Sequence, residues 1–202
     1  MSRRTSLVAL VVLGAVLGAV PAAADPPGWR RQMTEPDRKR LAGLYHAWTT
    51  ARAQVAAAGL AADWSGQGAL TQGDAVTADP PPAPGIYSCR TLKLGSRVAG
   101  MPNWRAVGSY PCRIEASRDG LRFTGEGGAQ RTSGVLYPDG ERMIYLGAIN
   151  LGNERGGFKY NADVDRNQVG VLHSLGPKRW RLELPFPLWE STLDLIEITP
   201  ST

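Results

Sequence analysis

The chain has 202 residues, 43% of them hydrophobic and 20% charged, which is enough apolar material to bury a core and too little charge to keep the chain disordered. Its formal charge is +5, of which Arg3 and Arg4 contribute two, so the rest of the chain carries only a small, scattered excess. Nucleic-acid binding would want cations clustered on one element with aromatics between them, and the nearest cluster, Arg38-Lys39-Arg40, sits among Glu35 and Asp37 as a solvated helix face.

Residues 1–24 read as a signal peptide. Arg3 and Arg4 form a basic start, residues 7–20 an apolar core, and Ala22-Ala23-Ala24 a small-residue cleavage site before Asp25. The apolar run is about 14 residues, short of the ~20 a helix needs to cross a bilayer. Asp25, where a lipid anchor would need cysteine, and the brief polar context Thr5-Ser6 favour ordinary Sec export. The expectation is a periplasmic or secreted protein, cleaved near Ala24, with no membrane span in the mature chain. In that compartment the two cysteines, Cys89 and Cys112, are expected to form a disulfide.

Thr34-Glu35-Pro36-Asp37 opens a helix: a hydroxyl cap, proline in the first turn, and acids at the positive dipole end. Leu41, Leu44, Tyr45, Trp48 and Val55 recur at helical spacing as one apolar stripe, and Gly59 is the natural stop. A short helical piece around Gly68–Leu70 is a weaker expectation. Residues 25–84 thus form a helical arm that ends in a Pro-rich connection, Val76 to Gly85.

From residue 85 to 200 the pattern is β. Ile86 to Leu94 is a first strand and Gly95 to Asn103 a loop. Four strands follow, separated by Asp119-Gly120, Gly127-Gly128 and Asp139-Gly140, which supply the positive φ angles of tight hairpin turns. Arg142 to Ile149 is apolar on both faces, so one face belongs inside a barrel and the other under the helix. A short strand at Phe158–Tyr160, a hairpin across Gly176-Pro177, and a last strand from Leu193 to Thr199 complete eight or nine strands. The fold expected is mainly β: an antiparallel meander closing into a barrel or barrel-like sheet, with an N-terminal amphipathic helix packed outside.

Chemistry-bearing motifs are sparse. Asn161-x-Asp163-x-Asp165-x-Asn167 alternates oxygen ligands as a calcium loop does, but Arg166 stands where the loop needs glycine and Leu172 where it needs glutamate, so Asx turns are the better reading. His46 and His173 are isolated, which leaves no zinc set, and neither a nucleophile elbow nor a cofactor fingerprint is present. No metal or cofactor is therefore expected. Candidate ligand-binding residues are Arg90, Arg131, Glu154, Asp165, Arg166 and Glu190, with Lys93 and Gln130 as further polar groups placed to line a pocket mouth. Glu190 and Asp194 also form the best carboxylate pair for acid–base chemistry. The bland alternative pairs them with Arg179 or Arg181 to fix a chain reversal.

Three stretches are similar to a known family: P-x-P-G-x-Y-x-C-R-x-x-K-L-G from Pro82 to Gly95, Gln130 to Asp139 with Leu146-Gly147, and R-W-R-L-x-L-P-x-P-x-x-E-S-x-L-D from Arg179 to Asp194. They resemble the bacterial family catalogued as domain of unknown function 4893. The resemblance implies an exported protein of this length and no particular activity, so no catalytic residue is carried over. Two functions stay open: a non-enzymatic binding module for a small ligand or an envelope protein, and a hydrolase of cell-envelope polymers working through a carboxylate pair.

Overall fold

The structure, a computed structural model, describes residues 28–152, 154, 157 and 159–201. The proposed signal peptide, residues 1–24, lies outside them.

Eight antiparallel strands follow one another around a closed barrel: β1 (Gly85–Ser96), β2 (Trp104–Ser117), β3 (Gly120–Gly125), β4 (Gln130–Asp139), β5 (Arg142–Leu151), β6 (Asn167–Ser174), β7 (Trp180–Pro185) and β8 (Ser191–Pro200). Each strand pairs with the next, and β8 returns to pair with β1 from Tyr87↔Pro200 to Ser96↔Ser191. Closure leaves the barrel sheet without an edge. The turns match their residues: Gly120 (φ 148°) and Gly140 (φ 67°) hold the β2–β3 and β4–β5 hairpins. Gly127-Gly128 proves to be the centre of a four-residue connection between β3 and β4, longer than the two-residue turn expected. No strand forms over Lys159 and Tyr160, Phe158 being outside the described residues.

Alternation along each strand sorts the side chains. Tyr87, Cys89, Cys112, Ile114, Phe123, Leu136, Met143, Tyr145, Leu172, Trp180, Leu182, Leu184, Ile196 and Ile198 fill one half of the barrel. Tyr87 and Trp180 meet edge to face with centroids 5.8 Å apart at its closed end, and the Pro-rich connection is tied across them. Tyr87 donates to the Ala83 carbonyl at 2.7 Å and Trp180 Nε1 to the Pro80 carbonyl at 2.9 Å. The disulfide Cys89–Cys112 joins β1 to β2 inside this core, with Cα atoms 5.8 Å apart.

Helices cover the outer face from β4 round to β1. α1 (Gly28–Gln32) and α2 (Glu35–Ala42) bring Trp29, Met33 and Leu41 onto Tyr137, Ile144, Leu146, Val169 and Val171. The outward face of β5 is thus covered by the α1–α2 arm. α3 (Leu44–Ala57) lies on Leu92, Leu94, Leu193 and Leu195. Thr34 caps α2 through the Asp37 amide at 3.3 Å, with Pro36 in the first turn. The single helix expected is broken at Gly43, whose amide donates to the Lys39 and Arg40 carbonyls. The break lets the two segments follow different parts of a curved wall.

The expected stripe holds at Leu41, Leu44, Trp48 and Val55, which pack against the barrel's apolar clusters, and is corrected at Tyr45, which is 81% exposed. Ala47 and Ala51, not counted in the stripe, are fully buried beside Val55. Their small side chains let the helix axis approach a leucine-covered barrel. Gly59, at φ 77°, ends the segment as expected. Beyond it come α4 (Ala61–Ser65), which was not expected, and a 3-10 turn over Gly68–Thr71, where the short helical piece was.

Candidate functional site

The half of the barrel opposite the disulfide is not filled. Here the inward positions turn polar: Thr91 and Lys93 on β1, Gln130 and Thr132 on β4, Gln168 on β6, Asp194 on β8. They surround a cavity of about 500 Å³ that opens at the strand ends, among the β1–β2, β3–β4 and β7–β8 connections. That is within the 300–1,000 Å³ usual for small-molecule sites.

A bulge places one of the wall residues. From Cys89 to Thr91, β1 advances two residues while its partner advances three, from Tyr110 to Val107. The extra residue in β2 reverses its alternation, so Val107 and Arg105 share the inner face with Tyr110. Tyr110 shares a hydrogen bond with Thr91 at 2.7 Å, and burial pushes its hydroxyl up to about 12, with the Asp194 charge adding to the rise, so it is neutral at ordinary pH.

Lys93 is the centre of the wall. Its ammonium lies 3.2 Å from Asp194 Oδ2 and 3.6 Å from Glu190 Oε2. Asp194 also accepts from the Ser191 hydroxyl on its other oxygen. Burial pushes the Asp194 carboxyl above the usual range, Glu190 adds to that, and Lys93 and Ser191 oppose it by favouring the charged form. Glu190 reaches across the mouth: it accepts from Arg105 on β2 at 2.8 Å and from Gln130 on β4 at 3.5 Å. Its backbone sits at φ 65°, uncommon for a residue with a side chain. Two cations and two carboxylates thus cancel inside one cavity.

The neutral wall is less settled. Gln168 is 4% exposed, and its Oε1, like Gln130 Oε1, is buried with no partner in the protein. The hydroxyl of Tyr145, fully buried, is also unpartnered, and burial raises it well above its ordinary value. It lies just beneath the polar half, where a Cβ on Gly147 would collide with it and one on Gly134 would crowd its ring; only glycine fits at either position. Three orphaned polar atoms in one short stretch of barrel are costly, each worth roughly 1–3 kcal/mol of desolvation.

A second, larger cavity of about 670 Å³ lies outside the barrel, between α3, the turn over residues 68–74 and β6–β7. Tyr45, Trp48, Trp64 and His173 line it. Its buried charges are fully engaged: Arg181 holds Glu183 at 2.8 Å and the carbonyls of Ala69, Gln72 and Gly73, while Trp48 Nε1 donates to Glu183 at 2.7 Å. None of the orphaned polar atoms among the described residues borders it. Size alone does not make it the site.

Of the six candidate residues, Glu190 lines the lumen. Asp165 and Arg166 border a small crevice beside Lys93, Gln168, Trp189 and Asp194. Glu154 pairs with Arg166 at 2.8 Å, and its carboxylate also accepts from the Leu151 amide. Hydrogen bonding from that amide and from Arg166 holds Glu154 below its ordinary value. Arg131 points outward and binds the Leu151 and Glu154 carbonyls. Arg90, also outward, is held by Glu197 and Gln67. The chain-reversal pairing is corrected: Arg179 binds Glu197 and Arg181 binds Glu183, leaving Glu190 to Arg105 and Lys93. In the Asn161–Asn167 loop Asp163 makes an Asx turn, accepting from the Asp165 amide at 3.1 Å, and Asn167 closes the loop by accepting from the Asn161 amide at 2.9 Å.

Residues 29–198 match the model of the family described as Domain of unknown function (DUF4893). The chain belongs to that family. No curated protein and no solved structure matches it. For this DUF4893 member the function must therefore be read from the site. The stretches Pro82–Gly95 and Arg179–Asp194, on which the resemblance rested, become β1 and β7–β8. These meet around β8 and bring Lys93, Glu190 and Asp194 into one wall.

Proposed function

We propose that this is an exported, non-enzymatic binding protein of the cell envelope that takes a small polar ligand into the open half of its barrel. The observation that carries the reading is the buried, unpartnered amide oxygen of Gln168, set in the wall of a cavity beside Gln130. A folded protein tolerates such groups chiefly where something else completes their hydrogen bonds. A filled barrel would have pointed to protein–protein contact, and an apolar lumen to a lipid-like guest. The export half of the reading rests on the sequence of residues 1–24 and accords with a buried disulfide. Native mass spectrometry of the mature protein, purified from its own envelope fraction, is expected to show a co-purifying small molecule on a chain that begins at Asp25. A chain that retains Met1, or a wholly empty population, would count against the respective half.

One observation favours the second reading, a hydrolase of envelope polymers: Glu190 and Asp194 both converge on Lys93. The arrangement suits holding better than turnover, because Asp194 has both oxygens engaged and Glu190 is tied to two cations. If the hydrolase reading is right, Glu190→Gln abolishes a measurable hydrolytic activity without moving the melting temperature. The binding reading expects no activity to lose.

A further inference from the structure

We infer that the guest of the lumen is an uncharged polyhydroxylated ring compound, a carbohydrate of one or two sugar units, recognised by the side-chain amides of Gln168 and Gln130. The inference rests on the lumen being the ligand site and specifies what enters it.

Charge decides first. Lys93 and Arg105 on one side and Asp194 and Glu190 on the other already neutralise one another within the cavity. A cationic guest would meet two cations and an anionic guest two carboxylates, and each would have to break a pair that the protein has already made. Burying a net charge without a partner is strongly unfavourable, so the neutral guest is the one the wall accepts as it stands. Hydrogen bonding decides next. The unpartnered groups that line the lumen itself are the amide oxygens of Gln168 and Gln130, the Tyr145 hydroxyl lying beneath it; amide oxygens accept and do not donate, so the guest must bring donors. Hydroxyl groups do so and can also accept from Lys93 and Tyr110. The rest of the lining suits the same chemistry: Val107, Ile149 and Ile196 offer apolar patches, and Tyr110 a ring, against which the C–H faces of a sugar can lie. A fatty chain would bury Lys93, Asp194 and both glutamines against hydrocarbon. That excludes it.

The test is calorimetric titration and thermal shift on the full mature protein. The probes are glucose, N-acetylglucosamine, maltose and trehalose, with glucosamine and glucuronate as charged counterparts and palmitate as an apolar control. At least one neutral sugar is expected to bind and raise the melting temperature, and its charged counterpart to bind at least tenfold more weakly. Gln168→Met keeps the length of the side chain and removes its amide. It should weaken sugar binding tenfold or more while leaving the unliganded protein no less stable, because the lost oxygen had no partner. A merely structural glutamine would do the opposite, lowering the melting temperature and leaving affinity alone. Should palmitate or a charged sugar bind as tightly and depend on Gln168, the lumen is the site and the carbohydrate assignment is wrong. Failure of every probe, against a co-purified molecule seen by mass spectrometry, overturns the assignment likewise. Failure of every probe together with an empty native protein overturns the lumen reading itself.

Discussion

At the level of single residues, the structure concentrates its buried charge in a few fully engaged positions, and Asp37 is the plainest. It is 1% exposed at the start of α2, yet it accepts from Arg40, from the Tyr160 hydroxyl and from Asn167 Nδ2, the last at 3.2 Å. Burial alone would raise its carboxyl. The hydrogen bonds from Tyr160 and Arg40, with the charge of Arg40 and the hydroxyl of Thr34, outweigh it and hold the group below its ordinary 3.8. The unfolded chain therefore binds this proton more readily than the folded one. The stabilisation is fully present above about pH 4 and is lost as pH falls through the folded value. Asp37→Ala is expected to cost roughly 3–5 kcal/mol at neutral pH, as removal of one partner of a buried pair does. In acid the gap between variant and wild type should close; chemical denaturation at a series of pH values checks it, and a gap constant down to pH 2 would be inconsistent with the linkage. A second buried pair lies inside the barrel, between Lys93 and Asp194. Lys93→Met strands Asp194, whose side chain is 5% exposed, and should cost a similar roughly 3–5 kcal/mol, whereas Lys93→Met combined with Asp194→Leu should recover most of it. Equilibrium unfolding of the three proteins decides, and additive losses in the double variant would mean that the two groups do not pair.

At the level of elements, α3 turns most of its expected stripe to the barrel, Leu44, Trp48 and Val55, with Ala47 and Ala51 between them and Tyr45 left outside. Ala51 is fully buried against the leucine face of β1 and β8, so Ala51→Leu should overpack the contact and destabilise by roughly 1–3 kcal/mol. Tyr45→Ala, at an exposed position, should change stability by less than about 0.5 kcal/mol. Urea unfolding separates the two, and the reverse ranking would restore the tyrosine stripe. The departure at Tyr45 has a physical source. Hydrophobic spacing marks which residues prefer burial, but the distance of closest approach is set by the partner surface, and Leu92, Leu94, Leu193 and Leu195 lie far away in sequence. The strands were legible because each carries its signal locally, in alternation and in the Asp-Gly and Gly-Pro turns that separate them. Closure of the meander was legible for a related reason: a strand apolar on both faces, as Arg142–Leu151 is, demands an inside and an outside. The site was mostly not. Glu190 and Asp194 were visible as a pair, and Lys93 and Gln130 as polar groups beside a pocket mouth, but Gln168, a polar residue opening an otherwise apolar strand, was passed over. Arg105 faces the lumen only because one extra residue in β2 reverses its alternation, and nothing in Trp104–Ser117 declares that bulge beforehand.

For the molecule as a whole, the barrel divides into a closed apolar half that carries stability and an open polar half that carries the candidate site, and the disulfide belongs wholly to the first. Cys89 and Cys112 are fully buried among Tyr87, Ile114, Ile196 and Ile198, two residues along β1 from Thr91 where the polar lining begins. The bond closes a loop with a sequence separation of 23. On the chain-entropy account that is worth about 3 kcal/mol, by restricting the unfolded chain rather than by adding a contact to the folded one. For a chain of this size, 1 kcal/mol corresponds to roughly 2–4 °C, so the reduced protein should melt roughly 6–12 °C lower. Because the β1–β2 register and the β8–β1 closure hold the strands independently of the sulfurs, the reduced barrel should keep its far-ultraviolet circular dichroism. Its lumen should keep whatever affinity the oxidised form has. Thiol labelling of the native oxidised protein should be negligible without denaturant, since both sulfurs are held in the disulfide. A stoichiometric label on Cys89 in the folded state would overturn the disulfide, and loss of ligand binding on reduction at a temperature well below melting would show that the two halves are coupled after all. The division of labour predicts that they are not.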